Sequence, residues 1–216
     1  MDYQRKIDHT LLKPEATEAQ VRQLVKEALD YHFYSCCVNT KFVDLVHELV
    51  KGSDVATCCV VGFPLGAMSK EAKEAETRYA VEHGADEVDM VISIADIKEG
   101  KDDAVEEEIR SLKQIVGPNR VLKVIIETCL LTDDEKRRAC VAAANAGADF
   151  VKTSTGFSTG GATVEDVRLM KESVQGRCLV KASGGIRTKD DFLAMVEAGA
   201  DRIGASAGIA IMEALQ

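Results

Sequence analysis

The chain has 216 residues, and 27 basic against 36 acidic side chains give it a formal net charge of −9. This length is enough for one large hydrophobic core, so we expect a single domain over residues 1–216. The acidic balance argues against nucleic acid or an anionic membrane as a partner, since both require clustered lysine and arginine. No apolar run approaches the roughly 18 residues that a membrane helix needs, and the N-terminal residues have no apolar stretch typical of a secretory signal.

Short β-rich segments alternate with amphipathic helical segments along the chain. The predicted strands cover residues 8–12, 35–39, 54–61, 87–92, 121–127, 150–154, 178–182 and 202–205. Several of them are continuously apolar, as in VATCCVV, which is typical of parallel strands covered on both faces. Eight strand–helix units in a chain this short favour an α/β fold of the (β/α)8, or TIM-barrel, class over an open sheet.

Threonines mark the starts of the predicted helices. Thr17 and Gln20 form a candidate capping box ahead of apolar residues at helical spacing. Thr132, Thr163 and Thr188 are each followed three residues later by an acidic side chain, and we expect each to begin a further helix.

A seven-residue repeat reads GADEVDM, GADFVKT and GADRIGA, and each copy leads into a predicted strand. The glycine suits a left-handed residue at the end of the preceding helix. If the three copies are structurally equivalent, Asp89, Lys152 and Gly204 occupy the same position in their strands.

Ionisable side chains interrupt four of the apolar strands. Lys123, Lys152 and Lys181 are separated by 29 residues each, which predicts consecutive strands and a similar height in the barrel; Asp89 is the fourth group. A buried ammonium group is costly, so it loses its charge or finds a partner. A structural ion pair is the main expectation for Lys123, which lies early in its strand. Lys152 and Lys181 precede small, hydroxyl- and glycine-rich residues typical of the loops at a barrel mouth, where active sites lie.

Two ammonium groups at one mouth disfavour each other's charge. One of them is therefore expected to be a neutral amine near neutral pH, which is the nucleophile that Schiff-base chemistry requires. Asp89 supplies a carboxylate at the same level. It serves either as an ion-pair partner of a lysine or in proton transfer, and the two roles are compatible.

Two glycine-rich loops, SGGIRT and GASAG, follow the last two predicted strands. Barrels often bind phosphate in these loops, through backbone N–H groups and a helix N-terminus, although either loop alone could be an ordinary tight turn. The four histidines have no metal-ligand spacing, and nucleotide-binding glycine motifs are absent. We therefore expect neither a metal ion nor an organic cofactor.

The seven cysteines are odd in number and include two adjacent pairs, Cys36-Cys37 and Cys58-Cys59. Neighbouring strand residues point to opposite faces, so these pairs are poor frameworks for disulfides or metals. Buried free thiols and a reducing, cytoplasmic location are the expectation.

The sequence resembles the deoxyribose-phosphate aldolases, a DeoC-type class I family. The matching segments span nearly the whole chain, from IDHTLLKP through VVGFPLG, ADEVDMVI and KVIIET to RIGAS, and the pair FVKTSTGF and VKASGGIRT is the most specific. The resemblance implies reversible cleavage of 2-deoxy-D-ribose 5-phosphate into D-glyceraldehyde 3-phosphate and acetaldehyde. A non-catalytic sugar-phosphate-binding barrel, or a Schiff-base lyase for a related phosphorylated sugar, is the alternative.

The resemblance also implies roles for individual residues. Lys152 would form the Schiff base, Lys181 would tune its reactivity, and Asp89 would transfer protons, through water. Substrate and phosphate contacts are implied for Gly184, Gly185, Ser206, Gly156, Thr155, Asp8 and Cys37.

The chain departs from some family members at the phosphate end. Phe157 and Ala207 stand where those members have a lysine and a second serine, and Thr40 stands where a proline is common. The expected partners are a small phosphorylated sugar and aldehydes, with a homodimer as the default assembly.

Overall fold

The computed structural model describes residues 2–216, in which eight parallel strands form a closed barrel in chain order. The strands are β1 Ile7–Leu11, β2 Ser35–Asn39, β3 Ala56–Val61, β4 Glu87–Val91, β5 Val121–Ile125, β6 Phe150–Lys152, β7 Leu179–Ser183 and β8 Arg202–Ala205. The first and last residues of each strand are within two residues of those predicted. The predicted (β/α)8 barrel is confirmed.

Helices surround the barrel. They are α1 Glu18–Tyr31, α2 Val43–Val50, α3 Lys70–Glu82, α4 Ile94–Lys98, α5 Asp102–Val116, α6 Asp133–Asn145, α7 Val164–Val174, α8 Lys189–Ala198 and α9 Gly208–Leu215. None of them, over residues 2–216, has the length and apolar character that crossing a bilayer demands.

Threonine side chains begin four of these helices, as predicted. Thr17 and Gln20 form a reciprocal capping box at α1, and Thr132 and Thr188 do the same at α6 and α8. Thr163 accepts a hydrogen bond from the third residue of α7. Each cap satisfies backbone N–H groups that have no partner within the helix, typically contributing about 1 kcal/mol.

Two apolar clusters divide the interior. The larger lies between the outer faces of the strands and the helices, where Val88 and Met90 of β4 pack. The smaller lies inside the barrel on the β1–β3 side and contains Cys37, Cys58 and Val60. The remaining interior, enclosed by β4–β8 and closed by Asp8 of β1, carries the charged side chains.

The register between strands supports only part of the 29-residue argument. The Cα atoms of Lys152 and Lys181 are paired across β6 and β7, as predicted. Lys123 is paired with Phe150, two residues before Lys152, so the prediction of a common height was wrong for Lys123. Strands in a closed barrel are tilted and staggered, and equal spacing in sequence therefore does not ensure equal height.

Glycines with positive φ join the helices to the strands that follow. The three glycines of the GAD repeat all adopt this conformation, with φ of 96°, 84° and 110°, as predicted for left-handed helix ends. A side chain at Gly147 would meet nothing within 4 Å. At Gly66, in the loop after β3, an added Cβ would lie 2.0 Å from the carbonyl oxygen of Ile92.

These two glycines allow backbone strain to be separated from steric exclusion. Gly147→Ala is expected to cost about 1–2 kcal/mol, because only the left-handed backbone is penalised. Gly66→Ala is expected to lower the free energy of unfolding by clearly more, since the backbone after β4 must also move. Urea unfolding of both variants at neutral pH measures the difference, and equal losses would contradict this account.

Candidate active site

Two of the predicted lysines lie side by side at the C-terminal end of the barrel. Lys152 is the last residue of β6, and Lys181 lies directly opposite in β7. The side chain of Lys181 is fully buried, whereas that of Lys152 retains 3% exposure and lines a cavity at the mouth. Active sites of barrel enzymes occupy this same end.

The Asp89 carboxylate joins all three strand lysines. Its Oδ1 accepts a hydrogen bond from Lys123 Nζ at 2.7 Å, and its Oδ2 accepts from Lys152 Nζ at 2.7 Å and from Lys181 Nζ at 2.8 Å. Burial alone would raise the pKa of Asp89, but its lysine partners, Lys123 foremost, outweigh it and hold that pKa well below its usual value. Asp89 is therefore a carboxylate throughout the physiological range.

A second layer of charges lies beneath the first. Asp8 Oδ2 is 2.5 Å from Lys181 Nζ, and Asp8 Oδ1 is 2.8 Å from Arg202 Nη1. Glu87 bridges Lys123 at 2.6 Å and Arg202 at 3.2 Å. Lys123 thus forms buried ion pairs deep in the barrel, in line with the structural role predicted for it. Arg202 has two carboxylate partners, Asp8 and Glu87.

The same layer keeps Lys181 charged. Burial would lower the pKa of Lys181, but Asp8 and then Asp89 overcome it, so this pKa is raised. The pKa of Asp8 is correspondingly lowered, because Lys181, Arg202 and Lys123 outweigh its burial. Lys181 is thus a fixed ammonium group directly beside Lys152.

Glu87 and Arg202 belong to this network, and the sequence analysis missed both. Glu87 precedes Asp89 by two residues, and Arg202 precedes Gly204 by two. Side chains two apart in a strand share a face, so each had to point into the barrel with its neighbour. Alternation from Asp89 would have found Glu87, and alternation from the repeat position at Gly204 would have found Arg202.

Six of the predicted site residues line one cavity of about 400 Å³ at the mouth. They are Lys152, Thr155, Gly156, Gly184, Gly185 and Ser206. The other four, Asp8, Cys37, Asp89 and Lys181, are completely buried. Lys13 and Arg187, which the sequence analysis did not single out, also line the cavity and bring positive charge to its entrance.

Glycine residues make room for this arrangement. A Cβ on Gly204 would lie 3.1 Å from Lys181 Cε, so the absence of a side chain on β8 lets the lysine cross the barrel. Gly184 has a φ of +85°, and a Cβ there would lie 3.1 Å from the backbone of Gly161. The repeat position shared by Asp89, Lys152 and Gly204 is therefore inward-facing in all three strands.

Cys37 lies among these groups without exposure to the cavity. A hydrogen bond from Cys58 is the main cause that lowers the pKa of Cys37, with help from Lys181 and Lys152. The thiols of Cys37 and Cys58 and the carboxylate of Asp89 lie within 4.8 Å of one another, as metal ligands could. Both oxygens of Asp89 already bind ammonium groups, however, so a cation would have to displace them, and the donor set does not fit a metal ion.

Comparison with known proteins agrees with this architecture. Residues 5–214 match the family model described as DeoC/LacD family aldolase. The chain is 58% identical over 213 residues to a deoxyribose-phosphate aldolase of Clostridium tetani, and the match covers 99% of each chain. It is 56% identical over 207 residues to a deoxyribose-phosphate aldolase of Bacillus subtilis, with 96% of this chain and 93% of the relative covered. A tetrameric deoxyribose-phosphate aldolase of Aeropyrum pernix has a TM-score of 0.92 at 36% identity, covering 99% of this chain and 90% of that one.

Neutralising Asp89 removes the acceptor shared by three lysines. Asp89→Asn is expected to lower the free energy of unfolding by about 3–5 kcal/mol, because buried ammonium groups lose their counter-charge. A depressed pKa contributes stability that is full above the unfolded value of 3.8 and is lost as the pH falls through the folded pKa.

The stabilisation by Asp89 should therefore persist from about pH 8 down to about pH 5 and be lost only in stronger acid. Urea unfolding of wild type and Asp89→Asn across this range measures it. A stabilisation already lost as the pH falls from about 8 to about 5 would mean that Asp89 takes up a proton there, contrary to its ion pairs.

Proposed function

The chain belongs to the DeoC/LacD family of aldolases, and we propose that it cleaves 2-deoxy-D-ribose 5-phosphate reversibly into D-glyceraldehyde 3-phosphate and acetaldehyde. Lys152 is the proposed Schiff-base residue. One observation carries this assignment: of the three lysines that bind Asp89, Lys152 is the one that lines the cavity. A carbonyl compound in the cavity can therefore meet this amine, while Lys123 and Lys181 stay sealed beneath it.

The balance of buried charge supports a neutral amine at Lys152. The network contains three carboxylates, Asp8, Glu87 and Asp89, and four cationic groups, Lys123, Lys152, Lys181 and Arg202. Excess charge in a low-dielectric interior is costly, and loss of one proton balances the set. Lys181 and Lys123 have raised pKa values and are sealed from the cavity, whereas Lys152 lines it, so we assign the neutral amine to Lys152.

The neutral amine of Lys152 adds to C1 of the open-chain sugar, and loss of water with uptake of one proton gives an iminium ion. The iminium ion withdraws the electron pair of the C2–C3 bond, which breaks as the C3 hydroxyl loses its proton. D-Glyceraldehyde 3-phosphate leaves, and the two-carbon enamine remains on Lys152. Protonation at C2 and hydrolysis then release acetaldehyde and free the amine.

Asp89 and Lys181 manage protons in this scheme. Asp89 is ionised and therefore poised to accept a proton, through water, while Lys181 is protonated and 2.8 Å from the same carboxylate oxygen. Lys181 is already an ammonium group, so it takes no proton from Asp89; it donates this hydrogen bond and can return a proton to the carboxylate side of the site. General acid–base groups of this kind contribute about 10²–10⁴-fold to rate.

The proposed phosphate end of the cavity is formed by the loops after β7 and β8. Gly184, Gly185 and Ser206 belong to the loops after β7 and β8, the common phosphate position in this fold. Phe157 presents an apolar ring there, 48% exposed, where the family resemblance implies a lysine in some members. Lys13 and Arg187 supply positive charge in its place, which favours a dianionic substrate.

We propose that the chain assembles as a homo-oligomer, a dimer by default. The Aeropyrum pernix relative is described as tetrameric. All seven cysteines are free thiols, and six of them are buried, which is consistent with the proposed reducing, cytoplasmic location.

Trapping the imine tests the Schiff base directly. Wild-type protein treated with 2-deoxyribose 5-phosphate and borohydride should gain a stable adduct on Lys152, found by peptide mass analysis. Lys152→Ala should stay folded, lose turnover and form no adduct. An adduct on Lys181 alone, or none in the wild type, would refute the assignment.

Removing the charge of Lys181 tests why Lys152 is reactive. Lys181→Met leaves three cations for three carboxylates, so Lys152 is expected to retain its proton. The rate–pH profile for cleavage should move to higher pH, and activity should recover in alkaline buffer. An unchanged profile would break the link between the two lysines and leave the Schiff base itself standing.

A further inference from the structure

Glu127 is a buried carboxylate that lacks a cation. Six acidic side chains are buried in residues 2–216, and five of them form ion pairs: Asp8, Glu87, Asp89, Glu108 and Asp166. Glu127, 2% exposed, forms none within the described chain. A buried carboxylate without a counter-ion depends on hydrogen bonds for its stability.

Both oxygens of Glu127 bind one residue of the cavity wall. Oε1 accepts the backbone N–H of Thr155 at 3.2 Å, and Oε2 accepts the Thr155 hydroxyl at 2.5 Å. The hydroxyl oxygen in turn accepts the N–H of Phe157 at 3.1 Å. This chain of bonds fixes the turn formed by residues 155–157.

The backbone of Glu127 is itself unusual. Its φ of 56° and ψ of 67° lie in the left-handed region, which ended the predicted strand two residues early. Two other non-glycine residues of the described chain have positive φ, His32 and Gln175, and both terminate helices. Glycine would adopt the conformation of Glu127 without penalty. The strain at Glu127 is therefore offset by interactions that only its carboxylate can make, the hydrogen bonds to Thr155.

The turn held by Glu127 belongs to the proposed phosphate end. Thr155 and Gly156 line the cavity, and the Gly156 Cα is 3.5 Å from the position that a Cβ on Gly184 would occupy. Farther along the same loop, Ala162 donates its N–H to the Gly184 carbonyl at 3.0 Å. The loops after β6 and β7 therefore support each other, and Glu127 anchors the first of them from outside the cavity.

We propose that Glu127 is a positioning residue for the phosphate group of the substrate, acting through the turn at residues 155–157. The proposal rests on the function proposed above, in that it takes a phosphorylated sugar as the ligand. Glu127 does not reach the reacting carbon. Its loss should weaken binding of the phosphate and leave chemistry at Lys152 largely intact.

Three substitutions separate this role from a contribution to folding. Glu127→Ala loses the hydrogen bonds and keeps the strained backbone, while Glu127→Gly loses the same bonds and relieves the strain. Glu127→Gln keeps an oxygen for the Thr155 N–H and can donate to the Thr155 hydroxyl. Glu197→Ala, at an exposed glutamate of α8, is the matched control.

KM and kcat are measured for 2-deoxyribose 5-phosphate and for unphosphorylated 2-deoxyribose, together with inhibition by inorganic phosphate. The Ala and Gly variants should both show KM for the phosphorylated sugar raised about tenfold, with phosphate inhibition weakened equally. Catalytic efficiency on 2-deoxyribose should change by less than about twofold, and Glu127→Gln should recover most of the loss.

If Glu127 were purely structural, the loss of catalytic efficiency would follow the loss of folding stability, and Glu127→Gly would be more active than Glu127→Ala. Alternatively, the catalytic efficiency on 2-deoxyribose 5-phosphate and on 2-deoxyribose would fall by the same factor. Either result would overturn the proposal, as would unchanged phosphate inhibition in the Gly variant, which should fold even if Ala does not. A wild-type protein that fails to cleave the sugar would refute the proposed function instead, and phosphate protection against thermal unfolding would still test Glu127.

Discussion

Three lysine side chains meet one carboxylate inside the barrel, and the site is built around this contact. Asp89 lies on β4, while Lys123, Lys152 and Lys181 come from β5, β6 and β7, so four consecutive strands must pair in register before the charges can compensate each other. Such a cluster contributes little net stability, because desolvation offsets the attraction. The apolar cluster between strands and helices must supply the stability that the charged interior does not.

The interior is divided in a way that suits imine chemistry. The half enclosed by β1–β3 is lined by thiols and aliphatic groups, and Phe63 packs on it. The other half holds fixed charges whose positions are set by a second layer of ion pairs. An enamine is a neutral, water-sensitive nucleophile, and the apolar side can exclude water while the charged side handles protons. Preorganised charge of this kind does not have to reorient during the reaction.

Much of this was predictable because the chemistry depends on charge in apolar strands. Lys152 and Lys181 stood out within FVK and LVK, and their 29-residue spacing matched the pairing of β6 with β7. The same spacing gave the wrong partner for Lys123, which is paired with Phe150. The stagger between strands is set by closure of the barrel and cannot be predicted from the sequence of one strand. Arg202 lies at the start of a short strand and reads as an ordinary boundary charge. Glu127 was hidden because VLKVIIE continues as a β-rich run, and only tertiary hydrogen bonds explain its left-handed backbone.

The central claim is that Lys152 is a neutral amine near neutral pH while the neighbouring lysines are charged. Reductive alkylation with acetaldehyde and cyanoborohydride, followed residue by residue by mass analysis from about pH 6 to 9, tests it. Alkylation of Lys152 should outpace that of exposed Lys51 most strongly at the low end of this range, and Lys181 should stay unmodified. A Lys152 profile that parallels that of Lys51 would contradict the account.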